Sequence, residues 1–504
     1  MKGSAFITLT ELKTSPEKIC TWLVPSRIIT LRFKITFPFC LHINITNNIF
    51  TASQNHYCMK KIWMLASALC TVLCCFAQDM SGKIDTLISA YAKMYRFNGS
   101  ALVAKGGTIL LNKGYGYRNA AEKVPNTEES IFQLGSITKQ FTSAVILKLQ
   151  EEKKLNTSDR LSKYFPNYPK GDSITIAELL THTSGIYNYT NDTSFMANEI
   201  TKPASREKII SLFKDKPLDF PPGTSWSYSN SGYSLLGYII EEVTKQPYEQ
   251  AVRKYIFTPL HMTHSGFDFT HLKSDNKTTG YFQLDDKRAM IAPIVDSTVS
   301  FSAGAIYSTT GDLYLWHKAL ENNTVLSKAE QEKAYTPVKN NYGYGWGIDS
   351  IDGKRRVGHG GGIPGYITNE SRIPEDNIDI VLLSNASVQS LGEITKSIYN
   401  ILYNKKYTLP EKRVAIALPE ATLKQYEGKY EIRPGLDVVI TAKDGALTAM
   451  PTGQSTKILY AEKEDFFFEK EEDIQVEFTR NDKSEIDGFI LHQGGSKFTC
   501  KRIK

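Results

Sequence analysis

Ser136 and Lys139 stand three residues apart at the front of an apolar stretch, Leu134-Gly135-Ser136-Ile137-Thr138-Lys139-Gln140-Phe141. On a helix, residues i and i+3 share one face about a turn apart, so the lysine amine can reach the serine hydroxyl. A hydroxyl beside an amine is a nucleophile beside a base, provided the lysine can lose its own proton. That requires its pKa to fall from about 10.4 towards 7, roughly 4 kcal/mol, which burial and a polar neighbour must supply. A serine at a helix start also lies in the field of the first backbone N–H groups, which favours developing negative charge. The S-x-x-K spacing recurs at Ser15/Lys18, Ser205/Lys208, Ser211/Lys214 and Ser274/Lys277. By itself it equally describes a capping serine followed by a solvated lysine. What separates Ser136 is the glycine before it and the apolar run after it.

Two further groups bear on that chemistry. Tyr228-Ser229-Asn230 lies inside Pro221-Pro222-Gly223-Thr224-Ser225-Trp226-Ser227-Tyr228-Ser229-Asn230-Ser231-Gly232-Tyr233. It offers a phenol able to relay protons with Lys139 and a carboxamide able to orient the lysine and a substrate carbonyl. The same Y-x-N spacing at Tyr117/Asn119 and Tyr189/Asn191 shows that spacing does not decide the role, and a Pro/Gly turn packed by Trp226 is the plain alternative. Gly358-His359-Gly360-Gly361-Gly362-Ile363-Pro364-Gly365 sets one imidazole among glycines, a composition suited to close approach of backbone to another group. His182 reads as structural, since nothing in the sequence pairs it with Ser136. His261-Met262-Thr263-His264 is a single i, i+3 pair without the clustered ligands of a metallohydrolase, and no G-x-S-x-G elbow occurs. No metal or other cofactor is expected.

The elements that must position these residues are legible in outline. Ala101-Leu102-Val103-Ala104 and Thr108-Ile109-Leu110-Leu111, joined by Lys105-Gly106-Gly107, predict a hairpin. Residues 137–151 carry Phe141, Val145 and Leu149 at helical spacing, and Tyr233 to Val243 is apolar on one side. Ile378 to Ser384 predicts a strand, and Leu391 to Tyr403 a helix. Early hairpin, helical middle and late strand imply a mixed sheet closed by distant parts of the chain. After Leu409-Pro410 the chain changes to short alternating segments, including Gly428 to Ile432, Val438 to Thr441, Asp473 to Arg480 and Gly488 to His492. These predict a small antiparallel barrel or sandwich.

At 504 residues with 41% hydrophobic and 22% charged, the chain is an ordinary globular sequence of two to three domains. Of its formal charge of +7, +6 falls in residues 1–77, where eight Lys or Arg stand against two Glu, which leaves +1 downstream. That balance gives no reason to expect a nucleic-acid partner. Six of the seven cysteines also precede Ala77, and Cys500 has none to pair with. Met59-Lys60-Lys61, the apolar run Ile62 to Phe76 and Ala77-Gln78 have the charged start, short apolar core and small cut-site residue of a secretory signal. The expectation is a start at Met59, a doubtful extension at 1–58, a signal peptide at 59–77, a catalytic domain at 78–409 and a β-domain at 415–504. The mature protein is then periplasmic or secreted. Cys70, Cys74 and Cys75 lack the preceding small residue of a lipid-anchor site, so soluble export ranks first.

Together, Gly135 to Thr142, Leu179-Leu180-Thr181-His182-Thr183-Ser184-Gly185, Pro222-Gly223 to Gly232-Tyr233 and Gly358-His359-Gly360-Gly361 resemble the β-lactamase-related serine hydrolases. That group holds class C β-lactamases, D-alanyl-D-alanine carboxypeptidases, D-amino-acid peptidases and esterases, and the resemblance spans about Lys83 to Tyr403. It implies an α/β chain of the α+β kind, with an antiparallel sheet flanked by helices and a helical subdomain, the serine β-lactamase and penicillin-binding fold. It further implies Ser136 as nucleophile of an acyl-enzyme, Lys139 as its base, Tyr228 as second proton carrier and Asn230 as orienter. His359 takes the place of a lysine found in a K-T-G strand motif of many members, with Gly361 and Gly362 following it. The oxyanion hole is then the Ser136 N–H plus that of Gly362. The substrate implied is an amide or ester, in the first instance a D-amino-acid-containing peptide related to the cell wall, as for a D-Ala-D-Ala carboxypeptidase. A class C-like β-lactamase or esterase is the alternative, and a slow-turnover penicillin-binding receptor or envelope binding module the alternative of another class. Lys354, Arg355 and Arg356 are close enough in sequence to replace the missing cation. The C-terminal segment resembles the lipocalin-like β-domain attached to several peptidase-like members.

Overall fold

The computed structural model describes residues 79–387, 391–411, 413–433, 435–453, 456–469, 474–493 and 496–503, together with four strands before them. Those strands, Ile7–Glu11, Glu17–Val24, Arg27–Thr36 and Cys40–Ile45, pair in sequence order as an antiparallel sheet. The expected signal peptide lies outside the described residues. Among the described residues no helix is long and apolar enough to cross a membrane.

From residue 79 the chain forms helix α1 (79–93) and the predicted hairpin, β1 (Gly99–Lys105) and β2 (Thr108–Tyr115). Gly106 and Gly107 both take positive φ, 59° and 78°, which makes the two-residue turn whose twist matches the strands. There follow α2 (Thr138–Glu151), α3 (Asn230–Thr244), α4 (Ser297–Gly304) and α5 (Thr310–Glu321). The chain then completes the sheet with β3 (Gly347–Ile351), β4 (Lys354–Ile363), β5 (Tyr366–Ile373) and β6 (Ile378–Ser384), and ends the domain with α6 (Leu391–Leu402).

The sheet order is β3-β4-β5-β6-β1-β2, with every neighbouring pair antiparallel. The sheet is therefore antiparallel rather than mixed, because β6 returns beside β1 in the opposite direction. Strands point successive side chains to opposite faces, and the two faces have separate cores. Ala101, Val103, Ile380 and Leu382 pack with Ile84 and Leu87 of α1 and Ile394 and Ile398 of α6. Leu102, Ala104, Val381 and Leu383 belong to the other core, with Phe141 and Val145 of α2 and Trp316 and Leu320 of α5. Covered on both faces, β6 is buried along its whole length, which explains the apolar run Ile380 to Leu383. Helix α2 is buried almost all round by α3, α4 and the sheet side, so the sequence that follows Ser136 is locked in place.

The C-terminal segment is a closed antiparallel barrel of eight strands, β7 (Gly428–Arg433), β8 (Leu436–Lys443), β9 (Ala446–Pro451), β10 (Lys457–Lys463), β11 (Phe466–Phe468), β12 (Ile474–Arg480), β13 (Ile486–Gln493) and β14 (Ser496–Ile503). Closure comes from β14 pairing with β7, which removes both sheet edges. Its interior is filled by Tyr426, Tyr430, Phe467, Phe478 and Phe489, with ring centroids 4.5–5.9 Å apart. The barrel is thus a packed core and not a ligand cup.

Candidate active site

The loop carrying Ser136 is fastened from three sides. The Leu134 N–H donates to Ile306 O at 2.8 Å, the Thr368 hydroxyl of β5 donates to Leu134 O at 2.7 Å, and the Ile306 N–H donates to the Thr138 hydroxyl at 3.1 Å. Gly135 is left-handed at φ 57°, and a Cβ on it would stand 2.8 Å from the Gly362 nitrogen of β4, so the position requires glycine. Ser136 then lies in a single 3₁₀ turn that runs into α2. Between Ser130 and Leu147 every residue is buried except Ser136, which is half-buried. The capping alternative does not hold, because the cap positions of the turn and of α2 are Leu134 and Ile137, not Ser136.

Lys139 is fully buried and donates to Ser136 Oγ at 3.1 Å, to Asn230 Oδ1 at 2.8 Å and to the Ala303 carbonyl at 2.8 Å. Burial pushes its pKa well below the usual lysine value. No carboxylate offsets that burial, so loss of the proton is made easier. A neutral amine has two N–H groups and one lone pair. The two carbonyl acceptors take the N–H groups and leave the lone pair for the Ser136 hydroxyl.

Asn230 is the first residue of α3, and its own orientation is set by residues that sequence reading missed. Its N–H donates to Asn188 Oδ1 at 3.1 Å and its Nδ2 donates to the Thr190 hydroxyl at 3.2 Å, which turns Oδ1 towards Lys139. Ala303 O reaches the lysine because α4 breaks at Phe301, whose backbone sits at φ 37°, ψ −138°. That break also sends the Ser302 carbonyl to the Thr142 hydroxyl at 2.6 Å. A non-glycine residue there costs on the order of 1–3 kcal/mol, and the stack of Phe301 on Tyr238 at 4.7 Å helps to hold it. Nothing in the residue types of 297–304 signals the break.

Tyr228 directs its ring at the lysine, with Nζ 4.8 Å from the ring centroid. Burial raises its pKa, and Ser136 is the hydrogen-bonding group that acts against the rise. The phenol oxygen has no partner of ordinary geometry. Beneath it, His182 packs ring to ring at 4.3 Å. His182 accepts the Ser229 N–H through Nδ1 at 3.1 Å, and its carbonyl accepts the Ser227 N–H at 3.0 Å, so it pins the residues on either side of Tyr228. Burial lowers its pKa well below the usual imidazole value. It makes no hydrogen bond to Ser136, in keeping with the structural role read from the sequence.

Register explains what β4 presents. Lys354, Arg356 and Gly358 face β3, and β3 ends at Gly347 opposite Gly358. The two-residue turns at Asp352-Gly353 and Pro364-Gly365 put Ile351/Lys354 and Ile363/Tyr366 in hydrogen-bonded pairs, from which the alternation counts. Gly360 and Gly362 therefore turn their N–H and C=O groups to the same side as Gly358, where no strand partner follows, and towards the Ser136 loop. Gly361 lies against that loop, since a Cβ there would overlap the Leu134 carbonyl. The structure thus brings Ser136, Lys139, Tyr228, Asn230, His359, Gly361 and Gly362 to one place.

His359 is half-buried, with Nε2 2.8 Å from the Tyr342 hydroxyl and Nδ1 on the Gly360 carbonyl. In the neutral ring, Nδ1–H donates to Gly360 and Nε2 accepts from Tyr342. Burial, and then the Lys139 charge, lower its pKa to about 4. Tyr342 was not anticipated from sequence. The expectation that Lys354, Arg355 or Arg356 supplies a cation here is corrected, because each is held by a carboxylate elsewhere. Lys354 pairs with Asp376, Arg355 with Glu332 at 2.7 Å, and Arg356 with Asp349. Among the described residues no group of three or more metal-ligating side chains occurs.

Comparison with known proteins agrees with this geometry. The sequence model of the family described as Beta-lactamase matches residues 84–399, and one described as a domain of unknown function (DUF3471) matches 412–502. The chain is 30% identical over 453 residues to Penicillin-binding protein 4* of Bacillus subtilis (strain 168), covering 85% of this chain and 100% of that protein. It is similar to the octameric penicillin-binding protein homologue from Pyrococcus abyssi, with TM-score 0.60, 27% identity and 83% and 99% of the two chains covered. It is also similar to a D-stereospecific amidohydrolase from Streptomyces sp., with TM-score 0.53, 25% identity and coverage of 62% and 96%.

Proposed function

The chain belongs to the beta-lactamase family of serine hydrolases, and from that premise we propose that it is an exported hydrolase forming an acyl-Ser136 intermediate on an amide or ester bond of a D-amino-acid-containing substrate. The observation that carries this reading is the buried Lys139 amine, aimed at Ser136 Oγ by two carbonyl acceptors and with no carboxylate to hold its proton.

In the reaction, neutral Lys139 takes the Ser136 proton as Oγ attacks the substrate carbonyl. The carbonyl oxygen becomes an oxyanion between the N–H of Ser136, at the start of α2, and the outward N–H of Gly362. One such donor is worth about 3 kcal/mol in a transition state. Tyr228 passes a proton to the leaving group as the tetrahedral intermediate collapses to the acyl-enzyme. Lys139 returns to Tyr228 the proton it took from Ser136. Water then attacks the ester, and the Tyr228 and Lys139 pair receives the water's proton. That proton passes to Ser136 Oγ as its bond to the acyl carbon breaks and the acid leaves. His182 acts through Tyr228, by fixing Ser227 and Ser229.

Intact-mass measurement after exposure to a fluorescent penicillin and to p-nitrophenyl acetate tests the proposal. Wild type is expected to gain the acyl mass and Ser136→Ala to gain none. Labelling that survives Ser136→Ala would overturn the nucleophile. A penicillin adduct that persists while p-nitrophenyl acetate also fails to turn over would favour the slow binding receptor. Export is tested by N-terminal sequencing of the native protein, with a mature start near Gln78 expected and a start near Met1 against it.

A further inference from the structure

His359 stands on β4 beside the open edge at Gly360 and Gly362, where a substrate would lie, and it has nothing left to offer a substrate carboxylate. Both ring nitrogens of His359 are consumed within the protein, Nε2 by the Tyr342 hydroxyl at 2.8 Å and Nδ1 by the Gly360 carbonyl. Lys139 is spoken for by Ser136, Asn230 and Ala303. The three cations earlier on the strand are bound by Asp376, Glu332 and Asp349.

The strand edge beyond His359 lacks hydroxyls as well, since it reads Gly360-Gly361-Gly362. The packing of the protein accounts for one of these glycines. Gly361 needs to be glycine because of Leu134, whereas a Cβ at Gly360 would meet nothing nearer than Thr368 O at 3.7 Å, and one at Gly362 nothing nearer than Ile367 Cδ1 at 3.7 Å. Both of these are exposed. Their bareness leaves open, neutral strand edge beside the oxyanion position, with backbone groups able to pair with an extended chain.

We infer that the leaving group of the substrate carries no carboxylate next to the scissile bond, so that the site takes neutral amides, esters or interior peptide bonds and not a C-terminal residue. Burying a carboxylate against a strand edge without a cation or a hydroxyl leaves it desolvated and unpaired, which disfavours such substrates. This rests on the acyl-serine reading above and narrows it away from a D-Ala-D-Ala carboxypeptidase.

The test uses two N-acyl-D-alanyl thioesters with the same acyl part, one with thioglycolate as leaving group and one with its methyl ester. Both are activated, so acylation does not depend on matching the natural bond, and thiol release is corrected for alkaline hydrolysis of each. Wild type is expected to favour the methyl ester at least about tenfold in kcat/KM, and His359→Lys with Gly360→Thr to narrow that ratio by about tenfold, or roughly 1.4 kcal/mol. Equal or faster turnover of the thioglycolate by wild type would overturn the inference while leaving the acyl-serine reading intact. Failure of Ser136 to take up the acyl group from either thioester would instead overturn the acyl-serine reading, and the inference with it.

Discussion

A lysine becomes a base when its surroundings make the ammonium form expensive, and at Lys139 burial does this without a compensating carboxylate. Arginine cannot lose its proton, so Lys139→Arg is expected to slow acylation of Ser136 by about 10²–10⁴-fold, read as the rate of mass gain with p-nitrophenyl acetate. Retention of most of the rate would remove Lys139 from the role of base. The pH profile separates it from its neighbour. His359 titrates at about 4, so above pH 6 it is already neutral, and a rising limb of kcat/KM above that pH belongs to loss of the Lys139 proton. His359→Asn is expected to leave the position of that limb unchanged; a shift of a full unit would assign it to the histidine. At this scale Ser136, Lys139, Tyr228 and Asn230 were legible because their chemistry resides in their side chains. Ala303 was not, since it acts through a carbonyl that any residue possesses. Tyr342 was not, since one tyrosine in a run of Asn, Tyr and Gly carries no spacing signal.

Elements determine whether those groups meet, and β4 shows how little of that is visible in composition. The hairpin β1–β2, the strand β6 and helix α6 were legible because apolar periodicity and Gly-Gly turns report burial and direction. The end of β3 at Gly347, which exposes the edge of β4, follows from pairing register and not from any local pattern. Lys354, Arg355 and Arg356 were read as available because sequence proximity does not reveal which face or partner a strand residue takes. The glycines of β4 should separate accordingly. Gly361→Ala forces a methyl group against the Leu134 carbonyl of the Ser136 loop and is expected to cost about 1–3 kcal/mol in stability. Because the same contact spaces the two oxyanion donors, acylation should fall by about 10²–10³-fold. Gly360→Ala has room and should unfold at the wild-type denaturant midpoint. Equal destabilisation of both variants would mean that the strand does not lie against the loop as described.

At the scale of the whole molecule, charge is buried on the helical side of the sheet. Glu370 of β5 meets Gln140 and His317, Asp379 of β6 lies 3.3 Å from His317 Nδ1 and 2.9 Å from Arg372 Nε, and all four charged groups are buried. Burial opposes the charge of His317, but Glu370 and Asp379 outweigh it and raise its pKa above 6.5. Burial likewise works to raise Asp379, yet His317 and Arg372 hold it at about 2. The stability due to His317 is therefore fully present below about pH 6.5 and lost as pH rises through its raised folded value. That due to Asp379 is present above about pH 3.8 and lost as pH falls towards 2. His317→Gln is expected to cost about 3 kcal/mol at pH 6 in urea unfolding, with the difference from wild type shrinking at high pH. A difference independent of pH would show that the histidine is not charged in the folded state.

The barrel stands apart in the same physical sense. Its core, from Leu423 to Cys500, shares no residue with the two cores that sandwich the sheet, and its interior is filled by its own aromatic rings. Among the described residues, the groups hydrogen-bonded to Lys139 and the rings against its amine come from Ser136, Asn230, Ala303, Tyr228 and Tyr233, none of them in the barrel. Removing 415–504 should therefore leave a folded domain that acylates Ser136 with p-nitrophenyl acetate at a rate within about threefold of the full chain, a change worth less than about 1 kcal/mol. The comparison is made by intact mass and by circular dichroism on the same samples. A truncated domain that keeps its circular dichroism but no longer acylates would show that the barrel completes the site. Unchanged acylation by the small ester, with lost turnover of an N-acyl-D-alanyl peptide, would place its contribution in holding the longer substrate along the open edge of β4.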